Sequence, residues 1–70
     1  MKKATQSDKI RANLYTLSRR EHYDHATCAA IIRKSVSTYE RKLREPNTFT
    51  IGELELLSRC FRVTLQDLLS

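Results

Sequence analysis

Arg33-Lys34-Ser35-Val36-Ser37-Thr38-Tyr39-Glu40-Arg41-Lys42-Leu43-Arg44 is the stretch on which the reading of this 70-residue chain turns. Ser35 is a good N-cap. Tyr39 and Leu43 stand four apart and define the buried side of a short helix over 36–44, with Val36 at its margin. Ser37, Glu40, Arg41 and Arg44 fall on the other side. The stretch holds five basic residues and one acid, +4 of a whole-chain formal charge of +5. Such local charge is an electrostatic footprint for a polyanion, with DNA the leading candidate. The bland alternative is a solubilising charge excess.

Upstream, Asp24 caps a second segment over 25–32, whose apolar side is Cys28, Ala29, Ile31 and Ile32. Arg33-Lys34-Ser35 is then a tight connector. A longer first helix opens at Thr5-Gln6-Ser7-Asp8, a capping box, and places Ile10, Leu14 and Leu17 on one face. Arg19 and Arg20 suit the negative end of its dipole.

Downstream, Pro46 ends the basic helix, and Phe49 anchors the loop that follows. Thr50-Ile51-Gly52-Glu53 is a second capping box. It opens a helix over 51–61 with a stripe of Ile51, Leu54, Leu57 and Phe61, widened by Leu56 and Cys60; so wide a stripe marks the central helix. Thr64-Leu65-Gln66-Asp67 opens a short last helix carrying Leu65, Leu68 and Leu69. The expectation is a single all-α domain over 1–70: five helices, no strands, and a flexible basic tail at 1–5. One Gly and one Pro argue against an all-β fold, and 40% hydrophobic residues suffice for a core. That core should join Leu14, Leu17, Ala29, Ile32, Tyr39, Leu43, Leu54, Leu57 and Phe61.

Two short helices across a three-residue connector, the second basic and serine-rich, describe a helix-turn-helix over about 25–44. Ser35, Ser37 and the free amides of the helix start can bond phosphates. Arg41 and Arg44 can reach base edges or phosphates on successive turns. Residues 24–69 resemble the Cro and lambda-repressor-like helix-turn-helix regulators. Cys28-Ala29 resembles the Leu-Ala of the family's first motif helix. Ser35-Val36-Ser37-Thr38-Tyr39 resembles the start of its recognition helix. The run 41–54 is similar to short phage and prophage members, and Phe61-Arg62-Val63-Thr64-Leu65-Gln66-Asp67-Leu68 to the closing family pattern. The resemblance implies a five-helix DNA-binding domain and a transcriptional regulator of phage or mobile-element type, a repressor. Double-stranded DNA would meet His25, Lys34, Ser35, Val36, Ser37, Glu40, Arg41, Arg44 and Asn47.

The chain departs from the family at the turn, where Gly and an apolar residue are usual and Arg33-Lys34 stand instead. A left-handed backbone without Gly costs about 1 kcal/mol, and Ile32 or Val36 must supply the missing core contact. Cys28 in place of leucine shrinks the motif core.

A weak homodimer is expected through Phe61, Val63, Leu65, Leu68 and Leu69, apolar residues in an acidic C-terminal third. The competing reading is a helical protein-interaction module, such as an antitoxin or antirepressor. Glu40 favours it, since an acid in the recognition face repels phosphate, although a carboxylate also suits a cytosine amino group.

Met1-Lys2-Lys3 is followed by polar residues rather than an apolar run, and no stretch reaches membrane-spanning length, so a cytoplasmic, non-membrane location is expected. Cys28 and Cys60 both fall at apolar helix positions and are expected as reduced core residues. His22, His25, Cys28 and Cys60 form a zinc-type ligand set of no standard spacing. No nucleophile-base pairing or phosphate loop stands out. The chain is therefore expected to be no enzyme, with no cofactor, metal or small-molecule ligand.

Overall fold

A computed structural model describes residues 5–70. Apart from Thr5, the expected basic tail lies outside the described residues. Five α-helices follow one another: α1 (Gln6–Glu21), α2 (His25–Ile31), α3 (Val36–Arg44), α4 (Ile51–Phe61) and α5 (Leu65–Leu69), with a 3-10 turn over Pro46–Thr48. No strand occurs among the described residues. No helix there is long and apolar enough to cross a membrane.

Local sequence explains each helix start. Thr5, Thr50 and Thr64 cap α1, α4 and α5, each in a complete capping box with Asp8, Glu53 or Asp67. Asp24 and Ser35 cap α2 and α3 by accepting from the backbone N–H of Thr27 and Thr38. Thr5 is therefore the cap of α1 rather than part of a tail.

Three helix ends are left-handed without glycine: His22 (φ 59°), Arg33 (φ 60°) and Arg62 (φ 60°). Each closes its helix by the same pair of backbone bonds. Arg33 donates to Ala30 and Lys34 to Ala29, as Arg62 does to Arg59 and Val63 to Ser58. Arg33 thus adopts the conformation that favours glycine. The apolar contact missing from the turn is supplied by Ile32, 3% exposed, whereas Val36 is 41% exposed.

All nine expected core residues are buried, joined by Ile10, Cys28, Phe49 and Leu68. Leu14, Leu57 and Phe61 are wholly enclosed. α1 packs on α5, α4 and the 3-10 turn; α2 packs on α3 and α4. Two expected core positions are corrected. Ile51 is 58% exposed, on the outer side of the first turn of α4, whose Glu53 and Leu54 are buried. Cys60 is exposed on the outer side of α4, while Cys28 is buried; both thiols are free.

The polar face of α1 closes the ends of three other helices. Arg11 donates through Nε to the Leu43 carbonyl (2.8 Å) and through Nη2 to that of Arg44 (2.9 Å). Arg20 Nη2 donates to the Phe61 carbonyl (2.6 Å), and Asn13 Nδ2 to those of Leu68 and Asp67 (2.8 and 3.1 Å). The last turns of α3, α4 and α5 carry carbonyls with no partner within the helix, and these side chains satisfy some of them.

Candidate nucleic-acid interface

The sequence makes α3 two-sided. Tyr39, Lys42 and Leu43, spaced i, i+3, i+4, point inward and are buried. Ser37, Arg41 and Arg44, spaced i, i+4, i+7, are exposed in one row. The helix starts at Ser35, whose Oγ accepts from the Thr38 N–H at 3.2 Å and lies 3.4 Å from Ser37 Oγ. No acid sits in the first turn of α3 to neutralise its positive end. Arg33, Arg41 and Arg44 make no side-chain hydrogen bond or ion pair among the described residues. Lys34 is exposed in the turn and Asn47 in the 3-10 turn.

The fifth base of the segment is withdrawn. Lys42 is 8% exposed and its Nζ donates to the Thr48 carbonyl (2.9 Å) and to Glu53 Oε1 (3.0 Å), lying 5.8 Å from the centre of the Phe49 ring. Burial works to raise the pKa of Glu53, but the Thr50 backbone N–H and the Lys42 ammonium outweigh it and hold the carboxyl below its ordinary range. Glu53 Oε1 also accepts from the Thr50 N–H at 2.9 Å, so one carboxylate caps α4 and neutralises the lysine. The +4 of the segment is offset by one at the Lys42–Glu53 pair. Its spacing three after Tyr39 and beside Leu43 is the signal that places Lys42 inward.

His25 and Glu40 meet across the two helices. His25 Nδ1 lies 2.8 Å from Glu40 Oε2, with the side chains 41% and 44% exposed. The imidazole stands edge-on to the Tyr39 ring, 5.7 Å between centroids. Burial pushes the Tyr39 phenol above its ordinary range, and the Cys28 thiol adds to that, so this floor is neutral. Neighbouring Asp24 is held below its ordinary pKa by the Thr27 backbone N–H.

No family model, curated protein or solved structure matches the chain.

The nine expected DNA-facing residues therefore lie on α3, its preceding turn, the start of α2 and the 3-10 turn. Val36, Ser37, Arg41 and Arg44 are exposed, while His25 and Glu40 are bound to each other. Arg11 was missed. It holds the end of α3, its partners are 32 and 33 residues away, and nothing local in the sequence announces them. It borders an open groove with Tyr15, His25, Glu40, Leu43 and Arg44.

The expected dimer surface is corrected in part. Phe61 and Leu68 are fully enclosed in the chain's own core, Tyr23 stacking on Phe61 at 5.6 Å between centroids. Val63, Leu65 and Leu69 are half-buried against the same core. The apolar surplus counted in the sequence is largely spent inside the fold. The His22, His25 and Cys28 set does not assemble either: His22 ends α1, His25 bonds Glu40, and Cys28 Sγ lies 3.5 Å from Ser18 Oγ. Among the described residues no three His, Cys, Asp or Glu side chains gather as metal ligands.

Proposed function

We propose that this chain is a lambda-repressor-like helix-turn-helix domain that binds double-stranded DNA with sequence specificity and acts as a transcriptional regulator, a repressor of phage or mobile-element type. The observation that carries this reading is the outer row of α3. Ser37, Arg41 and Arg44 project from one side of a serine-capped helix with no acid in its first turn, and both arginines are free of internal partners. Backbone amides and serine hydroxyls at such a start suit phosphate, and an arginine fork suits phosphate or guanine. Arg33 and Lys34 extend the basic edge into the turn, and the resemblance of residues 24–69 to phage regulators points the same way.

A single short helix reads few base pairs, so we further propose that two copies bind a near-palindrome, touching through Val63, Leu65 and Leu69. The protein-interaction alternative drew on Glu40 as a phosphate-repelling acid. His25 Nδ1 lies 2.8 Å from one oxygen of that carboxylate, so the acid is held in a contact between α2 and α3.

Fluorescence polarisation with a generic duplex, repeated across a salt series, tests the reading. Log K should fall against log salt with a slope of about −0.9 per phosphate neutralised. Binding indifferent to salt, or no binding, would transfer support to the protein-interaction module.

A further inference from the structure

We propose that Glu40 reads a base, a cytosine amino group in the major groove, and that His25 is the positioning residue that holds its carboxylate for the task. The proposal rests on the DNA-binding reading above and adds the specificity of the same site.

Glu40 is the sole acid of the 33–44 segment. It stands three residues after Ser37 and four before Arg44, beside the outward row. The ordinary partner of a helical glutamate is a cation four residues on. Here that cation is Arg44, yet no ion pair joins the two, and the carboxylate lies 2.8 Å from His25 Nδ1 on α2. Two consequences follow. Arg44 stays free for a phosphate, and only one carboxylate oxygen is committed. Oε2 faces the imidazole; Oε1 has no partner among the described residues and the side chain is 44% exposed.

The contact is also rigid at its far end. The His25 ring rests edge-on against Tyr39, which is 1% exposed, and His25 begins a helix capped by Asp24. A carboxylate fixed this way loses less freedom on meeting a ligand than a solvated one. A carboxylate aimed at a polyanion is repelled unless it accepts a hydrogen bond there. The major groove offers amino donors on cytosine and adenine. Adenine sets its N7 acceptor beside the amino group, which opposes a carboxylate, whereas cytosine offers N4–H with no adjacent acceptor on the same base.

Selection of preferred duplexes from a random library, followed by affinity measurement on single-base variants, tests this with wild type, Glu40→Gln and His25→Ala. The wild type should prefer cytosine at one position by about 10- to 100-fold. Glu40→Gln should move that one position toward adenine, whose N6 and N7 suit an amide, and leave the other positions unchanged. His25→Ala should keep cytosine as the best base but cut its advantage to a few-fold. A merely structural role for the pair predicts no change of base identity. If Glu40→Gln instead tightens binding to all sequences alike with an unchanged preference, Glu40 is only repulsive; the proposal falls and the DNA-binding reading stands. If the wild type binds no duplex at any salt, both fall together.

Discussion

The α2–α3 and α4–α5 pairs are built alike and finished differently. Each turns through a left-handed arginine, Arg33 or Arg62, and each restarts on a hydroxyl cap, Ser35 or Thr64. In α4–α5 the new helix carries its own acid: Asp67 accepts from the Thr64 N–H, which holds its carboxyl below the ordinary range and neutralises the helix start. In α2–α3 the corresponding position is Thr38, and the start of α3 is left positive, with free arginines along its outer row. One pair is closed by its own charges, whereas the other leaves its helix start and its outward arginines without an acid partner among the described residues.

The contrast can be broken most forcibly at the closed side. Leu57 on α4 is wholly enclosed, and Leu57→Ala should cost about 2–5 kcal/mol, read as a fall in the urea midpoint. An unchanged midpoint would refute the core.

Lys42 tests whether the basic segment is divided as described. Lys42→Met leaves Glu53 without its cation and should cost about 2 kcal/mol, below the usual range for a broken buried pair because some solvent reaches it. The same variant should bind duplex DNA with an unchanged salt slope. The pair also sets an acid limit. Glu53 has a folded pKa below its ordinary 4.5, so the unfolded chain takes up this proton first as pH falls. Its contribution is complete above that ordinary value and is lost as pH drops through the folded one. Glu53→Gln should flatten this part of the acid limb in urea titrations.

A smaller effect separates the two turns. Arg33→Gly and Arg62→Gly should each stabilise by about 0.5–1 kcal/mol, as relief of the left-handed strain exceeds the entropy cost of glycine. DNA affinity should fall for Arg33→Gly alone. Equal affinity losses would erase the distinction between the pairs.

The smallest change in stability is expected on the open side. Arg44→Ala should stay within about 0.5 kcal/mol of wild type, since the side chain has no internal partner. Its salt slope should drop by about 1 if Arg44 holds a phosphate.

What the sequence determined by itself was local. Thr5, Asp24, Ser35, Thr50 and Thr64 open the helices because a hydroxyl or carboxylate reaches backbone N–H groups two or three residues on, a distance within one turn. The i, i+4 stripes of α1 and α3 were legible for the same reason. Only the tertiary structure decided what depended on residues far along the chain. The spacing of Lys42 beside Tyr39 and Leu43 places it inward, but the fold decided that Glu53 and the Thr48 carbonyl meet its ammonium there, and Arg11 found the end of α3 across more than thirty residues. Phe61 and Leu68 went to the core rather than to a partner, while Ile51 and Cys60 stayed outside, because stripe width does not reveal which edge a neighbour covers. His25 and Glu40 looked independent in the sequence, fifteen residues apart, and became one unit only when α2 packed on α3.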